Sequence, residues 1–146
     1  MHIRRSALKL LLDSDTFAFP DHARIFQQLA DNTRLRILYL LYMEDSACVC
    51  DLVNALNMPQ PKISRHLSGL RQCRLVKDMR CGTWVTYCLH PSLPNWVRHV
   101  LATSFTSFSE QEPFAGDLVA FRRTGTVPQL VDRPDKPWAR ARLKNW

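Results

Sequence analysis

Glycine is scarce in this chain, with four in 146 residues. Barrels and sandwiches stitched together by tight turns need many positions where the backbone can take positive φ, so the scarcity argues against them. Long hydrophobic runs are missing as well. No stretch approaches the ~18 uninterrupted apolar residues that a helix needs to cross a bilayer. The start, "MHIRRSALKLLLDSD", carries two arginines and a short apolar patch. Asp13 and Asp15 follow at once and no small-residue cleavage site appears, so it does not read as an export signal. Acid is in short supply, 13 Asp and Glu against 20 Lys and Arg, for a net charge of +7. No Gly-rich phosphate loop, paired carboxylates or nucleophile constellation stands out, and the expectation is a protein that is not an enzyme.

What is present suits one soluble domain. The length allows a real core but not two comfortable ones, and 46% hydrophobic with 23% charged residues is ordinary globular composition. Positive charge favours polyanionic partners, nucleic acid before membrane. The excess is local: between Asn57 and Thr83, Lys62, Arg65, Arg71, Arg74, Lys77 and Arg80 meet the single acid Asp78. A second basic run covers Arg122 to Lys144. Five cysteines are an odd number. Without an export signal they read as reduced cytoplasmic thiols, available to metal or redox chemistry.

The apolar spacing predicts a short helix over 21–30, with Ile25, Phe26 and Leu29 on one face. A second helix follows an Asp31 or Asn32 cap and is apolar on most sides, which makes it central. "SACVCDLVNALN" predicts a third helix with Ser46 as cap, ended by "NMPQP". A fourth, about Gln60 to Cys73, turns Ile63, Leu67 and Leu70 inward. Leu75–Arg80 and Trp84–Leu89 flank a turn at Gly82 and predict a β-hairpin. A last helix runs from Leu93 to about Phe105. The expected organisation is an N-terminal extension over 1–20, a core domain over 21–105 and a Pro-rich, aromatic, basic tail over 106–146, either disordered or lying on a partner subunit, its aromatics favouring partial ordering by contact.

Helix, helix, short connection, polar-faced helix and two-stranded wing is the order of a winged helix-turn-helix, mainly α with a small β-hairpin. An α-helix fits the major groove, and its outward side must carry short hydrogen-bonding groups and cations. Gln60, Ser64 and His66 suit base edges; Lys62, Arg65 and Arg71 suit phosphates or guanine; Lys77, Arg80 and Thr83 at the wing suit the backbone or minor groove. Any one of these alone would be an ordinary solvated residue. "FQQLADNTRLRILYLL", "PQPKISRHLSGLR" and "RCGTWVTY" together resemble the ArsR/SmtB family of metal-responsive repressors, over roughly residues 22 to 102. The resemblance implies a homodimer through the terminal helices, double-stranded operator DNA with two half-sites, no membrane, and release of DNA on metal binding. Pro59 stands where the family commonly has a serine that caps the reading helix, so that cap is expected to be lost.

Cys48 and Cys50 pose a geometric problem. Two positions apart on a regular helix they differ by about 200°, yet two thiolates sharing one ion at bonds of ~2.3 Å must approach within roughly 4 Å. One reading leaves Cys48 as a small core hydrophobe and Cys50 as an exposed thiol. The other places both in the first helical turn, where the backbone frays cheaply and amide dipoles lower thiol pKa, so that an ion unwinds the turn. "ACVCDL" resembles the signature of the arsenic- and antimony-responsive branch, which implies Cys48 and Cys50 as ligands of As(III) or Sb(III), with no permanently bound cofactor. Soft thiolates suit a soft ion. The third cysteine common in that branch is replaced by Val53. The missing position is left to Cys73, Cys81 or Cys88, a small thiol, a water, or the methyl group of an organoarsenical. A thiol redox switch, or response to another soft metal, is the alternative.

Overall fold

The computed structural model describes residues 21–81 and 84–124. The expected N-terminal extension, Gly82, Thr83 and the tail from residue 125 lie outside the described residues.

Helix α1 spans His22–Leu29 and buries only Ile25. Its last carbonyls have no partners within the helix. Arg34 supplies them, donating from Nε to Gln28 O (2.7 Å) and from Nη2 to Gln27 O (3.1 Å). Helix α2, Asn32–Glu44, begins at Asp31, whose carboxylate accepts from the Arg34 N–H at 2.9 Å. Its continuous run Ile37–Leu41 is fully buried, as the apolar arc predicts for the central helix.

Strand β1 (Ala47–Cys48) precedes helix α3 (Val49–Leu56), and α4 covers Gln60–Gln72. Leu52, Ala55 and Leu56 of α3 and Ile63, Leu67 and Leu70 of α4 point into the core. Asn57 ends α3 in the left-handed conformation (φ 52°, ψ 49°), a common use of asparagine. Pro59 caps α4 without a side-chain hydrogen bond, as expected, and Pro61 sits in the first turn. Gly69 lets α4 approach α1: a Cβ there would stand 3.3 Å from Gln28 Oε1.

Strands β2 (Val76–Cys81) and β3 (Trp84–Leu89) form the expected wing. The sheet has one strand more than the sequence predicts, because β1 adds to it antiparallel in the order β1-β3-β2. Ala47 pairs with Tyr87 and Cys48 with Thr86. Two residues are too few to show an alternating pattern, so the strand is invisible to periodicity.

Helix α5, Asn95–Phe108, buries Val97, Leu101 and Phe105. The chain then forms a further helix, α6, over Phe114–Thr124, within the segment expected to be tail. It packs against α3 and α2 of its own chain. Phe114 and Phe105 both meet Tyr39 edge-on, at 5.4 and 5.6 Å between ring centroids.

Candidate functional site

The first candidate surface is the outward side of α4. With Ile63, Leu67 and Leu70 committed to the core, the helical period leaves Gln60, Lys62, Ser64, Arg65 and Arg71 exposed. His66 is half-buried beside them. Burial holds its imidazole below its usual pKa; Asp31 opposes this, while Arg34, Lys62 and Arg65 reinforce it. The ring is therefore neutral at pH 7 and can offer a base one donor and one acceptor.

The wing splits its two cations. Residues three apart on a strand face opposite ways, so Lys77 and Arg80, both exposed, do not share a side. Asp78 reaches Arg71 of α4 at 3.8 Å. Arg80 shares the Asp78 face and so leans with α4; Lys77 points away. The expectation that Lys77 and Arg80 serve the backbone or minor groove from the wing thus falls on two different faces of one strand. Thr83 lies outside the described residues.

The second candidate is the head of α3, and here the local geometry differs from expectation. Cys48 is not inside the helix. It is the cap residue, extended at φ −85° and ψ 166°, held by pairing with Thr86 on β3. The cap expected at Ser46 is thus formed two residues later, by a sulfur. Asp51 N–H donates to Cys48 Sγ (3.3 Å), and the Cys48 N–H donates to Asp51 Oδ2 (3.3 Å). This reciprocal arrangement is a capping box with thiol in place of hydroxyl. The helical step of about 100° does not apply across a cap, so the two thiols are not forced to opposite sides of a cylinder.

The pair is asymmetric. Cys48 is 3% exposed, and Cys50 is open to solvent. Burial pushes the Cys48 thiol up to about 12; the Asp51 N–H pulls it back, while the Asp51 carboxylate and Cys50 add to the rise. The lowering expected from amide dipoles is overridden, because desolvation of a thiolate outweighs one N–H donor. Cys73 and Cys88 are buried, and Val53 packs on the core in the third position of the motif. Among the described residues, no three His, Cys, Asp or Glu side chains are gathered closely enough to hold a metal.

Sequence reasoning missed two features. Asp51 was legible in principle, since Cys-x-x-Asp mimics the Ser-x-x-Glu capping pattern. Asp117 was not. It lies on α6, 4% exposed, and takes a two-pronged bond from Arg36 of α2 at 2.7 and 2.8 Å. Arg122 reaches Glu44 at 2.7 Å. These contacts pin α6 across the back of the α2–α3 corner.

Together the tri-helical core, the polar-faced α4 and the paired strands define a winged helix-turn-helix regulatory protein. The family model for the arsR family of bacterial regulatory proteins matches residues 31–78. The arsenic resistance transcriptional regulator ArsR1 of Pseudomonas putida is 42% identical over 105 residues, spanning 72% of this chain and 80% of that one. Among solved structures, the AntR antimony-specific transcriptional repressor matches with a TM-score of 0.50 and 27% identity, over 66% of this chain and 86% of that one. A homodimeric winged helix-turn-helix DNA-binding domain from Mycobacterium bovis, a possible ArsR-family regulator, matches with a TM-score of 0.50 and 27% identity, over 62% and 81%. The chain belongs to the arsR family of bacterial regulatory proteins.

Proposed function

We propose that the protein is a homodimeric transcriptional repressor that holds operator DNA through α4 and the wing, and lets go when trivalent arsenic or antimony is captured by Cys48 and Cys50. The observation that carries the reading is the reduced thiol pair at the head of α3, one helix before the DNA-reading surface. The 42% identity to an arsenic resistance regulator supports the choice of inducer.

The chemistry is exchange without redox. Each As–OH of arsenous acid meets an S–H; an As–S bond forms, the As–O bond breaks, and the thiol proton leaves with the hydroxide as water. No thiolate need stand in solution beforehand, so the raised pKa of Cys48 does not block the reaction. A divalent cation brings no hydroxide and must drive the proton off a reluctant thiol. Oxidants also attack thiolates rather than thiols, which disfavours the redox alternative at Cys48. With Cys73 and Cys88 buried in the core, Cys48 and Cys50 are the two protein thiols that hold the ion. The third position stays open to Cys81, a small thiol, an oxygen or a methyl group.

Transmission is short. Only Asn57–Pro59 separate α3 from α4, and a left-handed asparagine followed by a proline of fixed φ gives the connection little slack. A shift at the head of α3 therefore reaches α4 as a change in how the reading face is presented. In a dimer, small rotations of two reading heads are amplified, because both must fit half-sites at a set spacing.

The test is a gel-shift titration of the reduced full chain. The wild type releases operator with arsenite, while the Cys48→Ser, Cys50→Ser double variant binds operator normally and ignores it. An unaltered arsenite response in the double variant would remove the thiol pair from the account.

A further inference from the structure

We propose that Asp51 is a positioning residue of the sensor: through its reciprocal bonds with Cys48 it latches the head of α3 shut, and inducer capture has to open that latch. The inference rests on the reading of Cys48 and Cys50 as inducer ligands and adds the residue against which they work. The two sulfurs differ in access, one 3% exposed and the other open to solvent. An ion bonded to both must sit where both can reach. The side chain of Cys50 cannot move into a close-packed core, so the sulfur of Cys48 has to swing outward to it. That movement draws Sγ off the Asp51 N–H, now 3.3 Å away, and leaves an amide at a helix start without its partner.

The other half of the box resists the movement. The Asp51 carboxylate, 1% exposed, accepts from the Cys48 N–H at 3.3 Å and ties the cap backbone to the first turn. Behind it, the pairing of Cys48 with Thr86 ties the same residue to the wing strand β3. A cap that loses its sulfur therefore pulls at once on the first turn of α3 and on the sheet that carries the wing. Serine at position 48 would keep the cap and lose the ligand, whereas alanine at position 51 would keep the ligand and lose the latch. The two substitutions separate sensing from latching.

The experiment measures the arsenite concentration that half-releases operator from the full-length protein. Asp51→Ala should lower it about fivefold, the worth of one ordinary side-chain cap. Asp51→Asn, which keeps an oxygen acceptor for the Cys48 N–H, should stay within about twofold of wild type by the same reasoning. A merely structural role would lower thermal stability in Asp51→Ala but leave the half-release concentration where it was. An unchanged or raised value in Asp51→Ala overturns the latch. If Asp51→Ala does not fold, amide exchange on the wild type decides: arsenite should strip protection from the Asp51 amide, and retained protection overturns the proposal. Wild type that never responds to arsenite removes the proposed function and the latch together. A wild type that responds, a silent Cys48→Ser, Cys50→Ser variant and an indifferent Asp51→Ala would remove the latch alone.

Discussion

Within one helix-turn-helix, α4 and the head of α3 are built to opposite specifications. The outward side of α4 is largely solvated, with Gln60, Lys62, Ser64 and Arg65 exposed and Arg71 drawn to 3.8 Å from Asp78. The head of α3 is closed on itself, its sulfur spent as a cap and its thiol kept protonated by burial. A reading surface works by standing available. A sensing surface works by staying withheld until a ligand forms bonds strong enough to open it. Thiolate–metal binding, on the order of 10 kcal/mol in structural sites, exceeds a cap worth about 1 kcal/mol, and under the proposed function that difference is what lets a soft ion open the closed head.

The sharpest way to break this contrast is to damage one surface and look for injury in the other. Arg65→Ala should weaken operator binding by roughly tenfold to a hundredfold if it reads a base, or flatten the salt dependence by about one unit if it holds a phosphate. Arsenite binding to the DNA-free protein should not move. A matching loss of arsenite affinity would mean that the two surfaces are not separate. The second cut goes behind the sensor. Asp117→Ala strands Arg36, whose side chain is 15% exposed. It should cost roughly 2–3 kcal/mol in denaturant unfolding, below the ~3–5 of sealed pairs because Arg36 keeps some water. No loss of stability would show that α6 is not seated on α2 and α3.

The smallest effect is the difference between the thiols themselves. With an alkylating reagent at neutral pH, Cys50 should be labelled well before Cys48, as peptide mass mapping would report. Because folding raises the Cys48 pKa from 9.0 to about 12, the stability gained from its neutral form is intact below 9 and is lost as pH climbs towards about 12. Labelling of Cys48 should rise over the same alkaline window. Equal labelling at neutral pH would erase the asymmetry on which the latch depends.

Much of this was legible beforehand, for reasons that differ by element. Helices α1, α2 and α4 follow from apolar spacing, and the inward set Ile63, Leu67 and Leu70 leaves the outward set by subtraction. Asp31 was readable as a cap. The wing was readable from two β-rich runs about a glycine. The failures cluster where local signals are short or where partners are distant. Strand β1 has two residues and exists because β3 lies beside it. Helix α6 was hidden by the serines and threonines and the single proline, Pro113, on its approach. The opposite facing of Lys77 and Arg80 follows from strand alternation, but which of them leans with α4 needed the Asp78–Arg71 contact.

By itself the sequence determined the kind of protein: a basic winged helix-turn-helix with a dithiol at the start of the helix before the reading helix. Periodicity and residue chemistry are local properties, and they survive without knowledge of what packs on what. Only the tertiary structure decided the state of the dithiol. Pairing with Thr86, 38 positions away by the register of β1 on β3, takes Cys48 out of the helix. Enclosure by the core then sets its pKa against the pull of the helix start, and the backing of α6 closes the corner behind it. Desolvation and strand pairing depend on atoms far along the chain, and no window of neighbouring residues contains them.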